Sequence, residues 1–202
     1  MKLYNSVFIL DGGAQLARFD KVNLPNYGVF DDKRNFTAGQ MPGPAMLRGL
    51  KIGFPICEDI WEANVAECLE ESGADLIIAI NASPFDMTKP ERRMSTIVAR
   101  TVETGLPVAY VNMVGGQDEL VFDGASFVLN ADCKMALQLP SWEEAVISTR
   151  WARRGGVWQC AVGECVAPYE DLSSIYNAMV LGLRDYVNKA GFPGVLLGLS
   201  GG

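Results

Sequence analysis

The sequence contains no histidine. Ser-His-Asp and Cys-His nucleophile activation within the chain are therefore excluded, as are histidine-containing zinc sites. Any enzymatic proton transfer must run through carboxylate, lysine, thiol, tyrosine or water. Positive charge is scarce as well: 17 Lys+Arg stand against 24 Asp+Glu in 202 residues, a formal net charge of −7. Nucleic acid and anionic membrane require clustered Lys and Arg, and the short run Arg150, Arg153, Arg154 reads as a solvated face, so neither partner is expected. No apolar run approaches the ~20 residues of a membrane helix. The opening MKLYNSVFILDGG reaches Asp11 without a small-residue cleavage site and reads as a strand, not a signal peptide. Cys57, Cys68, Cys133, Cys160 and Cys165 are odd in number, irregularly spaced and form no CxxC pair. They do not make a disulfide framework and point to reduced thiols in a cytoplasmic protein.

What is present is enough apolar residue (49%) for a packed core,. Residues 4–11 are rich in β-formers and end at Gly12-Gly13, with 16–21 as hairpin partner. Residues 22–49 form a long irregular stretch of the kind that is usually functional. The pattern then predicts a strand at 50–56, a helix at 59–72 capped by Gly73, and a strand at 75–80 buried on both faces. A helix at 89–104 stops at Gly105, and a strand follows at 107–112. Gly115-Gly116 marks a turn, and 120–129 is β-like, broken by the hairpin signal Asp123-Gly124. Residues 135–139 are a further strand. Residues 152–168 are weakly patterned and read as a linker, 170–190 as an amphipathic helix, and 193–199 as a buried strand running into Ser200-Gly201-Gly202. Apolar strands alternating with helices make this an α/β protein.

Cys57 falls between a strand and a helix. Such a turn exposes a side chain, the helix N-terminus lowers a thiol's pKa, and backbone N–H groups such as that of Glu58 can face a developing oxyanion. From position alone a buried, inert cysteine is the commoner reading, since free cysteines are often buried as small hydrophobes. Lys21 ends a strand, where a lysine is ordinarily solvated; beside a thiolate it would stabilise nucleophile and oxyanion without any histidine. Residues 81–85 (NASPF) follow a strand, as ligand loops of α/β folds do, but by spacing alone the plain turn of Asn, Ser and Pro is the preferred reading. Ser200-Gly201-Gly202 could begin a phosphate nest or be a flexible or artificial end.

Taken in order, LYNSVFILDGG, KVNLPNYGVFDDKR, FPICEDIW, NASPF with Lys89, YVNMVGGQDELVFDGASF and VLLGLSGG resemble the glutamine-dependent NAD synthetases across nearly the whole chain. The resemblance implies a nitrilase-superfamily αββα sandwich lacking its beginning, then the first helix and strand of an α/β ATP-pyrophosphatase-type domain. The implied boundaries are 1–151 for the amidase domain, 152–169 for the linker and 170–202 for the start of the synthetase domain. It implies Cys57 as nucleophile forming a γ-glutamyl thioester, Lys21 as catalytic lysine, and the Glu58 N–H in the oxyanion hole. Tyr27, Ser83 and Lys89 would bind glutamine, and Ser200, Gly201 and Gly202 would open a pyrophosphate loop. No metal is expected in the amidase part; ATP and Mg2+ belong to the synthetase part, which amidates nicotinic acid adenine dinucleotide. A homo-oligomer is expected. The family's general-base glutamate lies upstream of Met1, the pyrophosphate loop stops before its Asp and Ser, and Asp32 stands where relatives often carry glutamate. The chain therefore reads as an internal piece, expected to show neither useful glutaminase activity nor NAD synthesis. The alternatives are a stand-alone carbon–nitrogen hydrolase of a small amide and a catalytically dead oligomerisation or regulatory module.

Overall fold

The computed structural model describes residues 2–167 and 171–201. The elements run β1 (Ser6–Asp11), β2 (Ala14–Asp20), α1 (Asp32–Asn35), β3 (Ala45–Leu47), β4 (Leu50–Gly53), α2 (Glu58–Trp61), α3 (Ala63–Glu71), β5 (Leu76–Asn81), α4 (Lys89–Thr104), β6 (Val108–Asn112), β7 (Val114–Gln117), β8 (Leu120–Asp123), β9 (Phe127–Leu129), β10 (Met135–Gln138), β11 (Trp151–Arg154), β12 (Val157–Cys160) and α5 (Asp171–Lys189).

Six strands form one mixed sheet in the order β10-β9-β6-β5-β4-β3. Its centre, β4-β5-β6, is parallel, with antiparallel strands on both flanks. The continuous apolar run of β5 explains its central place, because both faces are covered. Ile77 and Ala79 point to one side and, with Val108, Tyr110, Phe127 and Leu129, meet Ile60, Val65, Ala66, Leu69 and Ile97 from the helices. Burying side chains of this size stabilises by roughly 1.5–3 kcal/mol each. Gly53 lets α3 approach closely: a Cβ there would lie 2.6 Å from Leu69 Cδ1. On the other side Ile52 and Leu76 pack with Ile9, Ala45 and Phe54, bordered by Phe19 and Trp151. Val128, Ala136 and Leu137 pack there with Cys160. Among the described residues this second layer is built from hairpins β1–β2 and β11–β12 rather than one continuous sheet.

Several elements differ from the sequence pattern. The helix expected at 59–72 is two pieces, because Glu62 takes an extended conformation (φ −94°, ψ 150°) between α2 and α3. Gly115 and Gly116 lie inside β7, and the reversal falls at Asp118-Glu119, with Asp118 at φ 49°. Asp123, expected in a turn, is buried at the end of β8, where its carboxylate pairs with Arg93. The stretch read as a linker contains the β11–β12 hairpin, reversing at Gly155-Gly156 and anchored by buried Cys160. Residues 168–170 lie outside the described residues.

The strand expected at 193–199 is absent. Val195, Leu196, Leu197 and Leu199 are exposed, and no described strand pairs with them; apolar β-formers make a strand only where a partner satisfies their backbone. Helix α5 instead docks on β7–β8. Gly116 N–H donates to Asp185 Oδ2 (2.7 Å) and Lys189 Nζ donates to Gly116 O (2.5 Å).

Candidate active site

Cys57 stands beyond the carboxyl end of β4, at the edge where Asn81 ends β5 and Asn112 ends β6. Its N–H donates to Ile80 O (2.8 Å), and Ile80 N–H donates to Pro55 O (3.1 Å). This pairing carries the segment along β5 before the chain reverses into α2. The reversal places Cys57 at φ 49°, ψ −102°, close to the first central position of a type II′ turn, where glycine is the ordinary residue. A side chain there strains the backbone by about 1–3 kcal/mol.

Lys21 follows β2, and only 4% of it is exposed. Its N–H donates to Asn5 O and its carbonyl accepts Gly39 N–H, both at 2.8 Å. Its ammonium donates to Asp32 Oδ2 at 2.6 Å. A buried lysine needs such a counter-ion. Asp59, also buried, holds the next residues: Oδ1 accepts Val22 N–H (3.0 Å) and Asn23 N–H (2.7 Å), and Oδ2 accepts Ile56 N–H (3.1 Å). Burial nevertheless pushes the Asp59 carboxyl above its usual range, against the pull of these three donors and of Lys21.

Burial raises the Cys57 thiol's pKa, and Glu58 and Asp32 raise it further. Lys21 and the Ala82 N–H act the other way by favouring the thiolate. The net direction is upward, opposite to the sequence expectation of a thiol lowered by a helix N-terminus. Helix α2 has only four residues, and desolvation outweighs the help its end can give. The resting group is the thiol, so thiolate chemistry needs a proton acceptor.

Tyr27 donates its hydroxyl to the Glu58 carboxylate (2.9 Å to each oxygen). Burial, then Glu58, pushes its pKa up to about 12. Lys89 sits 4.6 Å over the Trp61 ring, a cation–π contact, and burial lowers its pKa. Charge at Cys57 acts on both Tyr27 and Lys89.

Ser83 is buried in a polar knot. Its N–H donates to Asn112 Oδ1 (3.0 Å), and its hydroxyl accepts from Arg93 Nε (3.2 Å). Arg93 Nη2 donates to Ser83 O (2.7 Å) and Nη1 to Asp123 Oδ2 (2.8 Å). Asn112 Nδ2 donates to Gly124 O (3.1 Å). The knot fixes the loop whose Ala82 N–H faces the Cys57 sulfur.

The structure thus gathers Cys57, Lys21, Tyr27 and Lys89, with Glu58 directly after the cysteine and Ser83 one residue beyond Ala82. Ser200 and Gly201 lie in the exposed tail, and Gly202 is outside the described residues. Among the described residues no group of three His, Cys, Asp or Glu is placed to hold a metal ion, and no helix is long and apolar enough to cross a membrane. Asp59, Arg93, Asn112 and Asp123 escaped the sequence reading. A charge inside the buried stripe of α4, where Arg93 accompanies Ile97, Arg100, Thr101 and Thr104, was the available signal.

The family profile described as Carbon-nitrogen hydrolase matches residues 1–154. The glutamine-dependent NAD(+) synthetase of Rhodobacter capsulatus is 46% identical over 199 residues, covering 98% of this chain and 36% of that protein. The corresponding protein of Acinetobacter baylyi is 37% identical, with the same coverage. The chain thus spans a little over a third of the length of these relatives. Glutamine-dependent NAD+ synthetase from Acinetobacter baumannii, solved in complex with ADP, superposes with a TM-score of 0.91 at 42% identity, over 98% of this chain and 38% of that one. An amidase from Nesterenkonia sp. AN1, bearing acrylamide added at its active-site cysteine, superposes with a TM-score of 0.54 at 29% identity, over 63% of this chain and 49% of that one.

Proposed function

Since the chain belongs to the carbon–nitrogen hydrolase family, we propose that it is the amidase part of a glutamine-dependent NAD+ synthetase and that its cysteine centre takes glutamine. The observation that carries this reading is the buried Lys21, neutralised by Asp32, acting on a Cys57 thiol that a strained turn presents at the strand ends.

The Cys57 sulfur attacks the γ-carbonyl carbon of glutamine, and the carbonyl π electrons move to oxygen. Lys21 and the Glu58 N–H face that oxyanion. Water takes the thiol proton as the sulfur attacks and returns it to the amine, so that collapse breaks the C–N bond, ammonia leaves and a γ-glutamyl thioester remains. Water then cleaves the thioester, yielding glutamate and restoring the thiol. Tyr27, Ser83 and Lys89 hold the substrate. The ammonia would feed ATP-driven amidation of nicotinic acid adenine dinucleotide. Ser200 and Gly201, exposed in an irregular tail, form no phosphate nest here. A start of a pyrophosphatase-type domain at α5, a homo-oligomeric assembly and a cytoplasmic location complete the proposal; five free cysteines agree with the last.

Labelling with 6-diazo-5-oxo-L-norleucine tests the reading. Selective modification of Cys57, protected by glutamine and lost in Cys57→Ala, is expected. Protection by acetamide instead of glutamine would indicate a small-amide hydrolase, and absence of labelling on a folded chain an inert module.

A further inference from the structure

We propose that Asp59 is a positioning residue: its carboxylate ties the segment that carries Lys21 to the segment that carries Cys57, and so sets how strongly the lysine acts on the thiol. The inference deepens the amidase reading and rests on it.

Val22 and Asn23, whose N–H groups donate to Asp59 Oδ1 at 3.0 and 2.7 Å, directly follow Lys21. Ile56, whose N–H donates to Oδ2 at 3.1 Å, directly precedes Cys57. These two stretches lie more than thirty residues apart and share no strand ladder. Three N–H donors converge on two oxygens of a side chain that is 2% exposed. Asparagine would offer one oxygen and turn an NH2 toward the remaining N–H, so the arrangement selects a carboxylate. Asp59 hydrogen-bonds the lysine's segment through backbone N–H groups and feels the Lys21 charge only at a distance; the side chain that grips the ammonium is Asp32. Titratable groups electrostatically coupled to the sulfur include Lys21, Asp32, Glu58, Tyr27, Lys89 and Tyr110. Of these, Lys21 is the cation that directly precedes the clamped Val22 and Asn23, while Glu58 is tied to the sulfur by sequence alone.

The test is the pH profile of iodoacetamide alkylation of Cys57 in the whole chain, read by peptide mass mapping, with exposed Cys165 as reference in the same molecule. Lys21→Met moves the Cys57 midpoint upward. Asp59→Asn is expected to move it the same way by about one pH unit, with roughly tenfold slower alkylation at neutral pH. The double variant should move no further than Lys21→Met, and Asp59→Glu should recover part of the shift. Cys165 should alkylate alike throughout. An unmoved midpoint in Asp59→Asn, or a shift that adds to that of Lys21→Met, overturns the proposal. If Asp59→Asn does not fold, Asn23→Pro removes the donor of the shortest bond and leaves the carboxylate; an upward shift supports the clamp and an unmoved profile refutes it. No glutamine is present in these measurements. Failure of glutamine to protect Cys57 from the diazo-oxo-norleucine label would sink the amidase reading while leaving this profile readable.

Discussion

Burial and the Lys21 charge pull the Cys57 thiol in opposite directions, and burial prevails. A thiol raised above its ordinary range ionises late, so Cys57 should alkylate only at higher pH than an unperturbed cysteine peptide does,. Stability follows the same sign. Over the window between the unfolded and the higher folded pKa, the native state binds more protons, so stability falls as pH rises through it. Cys57→Ala should flatten that alkaline decline, read by urea unfolding at a series of pH values. The Arg93–Asp123 pair is a different case, with side chains 3% and 4% exposed. Asp123→Ala strands a buried guanidinium and should destabilise by about 3–5 kcal/mol; a urea midpoint near that of the parent chain would argue against it.

Element by element, the sequence pattern served best where local signals sufficed. Helix α4 starts at Lys89 with Pro90 in its first turn and ends at Gly105 in a left-handed cap (φ 65°), as its periodicity predicted. It served worst where tertiary contacts decide. Asp123-Gly124 looks like a turn until Arg93 needs a counter-ion, and Gly115-Gly116 looks like a turn until α5 needs a flat strand to lie on. The strand expected at 193–199 shows the limit most directly, since a ladder partner cannot be read from the segment itself. In the candidate site, position along the chain singled out Cys57 and Lys21, and the resemblance supplied the roles proposed for them. The Asp59 clamp and the Arg93 knot were hidden because they hold backbone groups from distant segments. The docking of α5 is testable here: a Cβ at Gly116 would meet Gly182 Cα at 3.0 Å and Asp185 Cβ at 3.3 Å. Gly116→Ala should loosen the helix by about 1–3 kcal/mol, seen as faster trypsin cleavage within α5 while the six-stranded sheet stays protected.

For the whole molecule, the carboxylates acting on Cys57 are already engaged, Asp32 by Lys21 and Glu58 by Tyr27. General-base catalysis is often worth about 100–10,000-fold. Ammonia release from glutamine by this 202-residue chain should trail the relatives by a factor of that order, checked by a coupled glutamate assay; a comparable rate would show that one of these carboxylates serves as base. Helix α5 exposes Leu172, Tyr176, Met179, Leu183 and Tyr186, which recur at helical spacing as an apolar stripe, and such stripes favour association. Sedimentation should therefore detect self-association, and Leu183→Glu should weaken it.

The backbone at position 57 carries one more consequence. At φ 49° and ψ −102° the conformation suits glycine and penalises every side chain. Cys57→Gly should therefore accumulate to higher soluble yield and melt at higher temperature than Cys57→Ala, although both are chemically silent. A library scored for abundance would favour glycine at this position and one scored for chemistry cysteine, so disagreement between the two rankings would mark the nucleophile without any substrate being supplied.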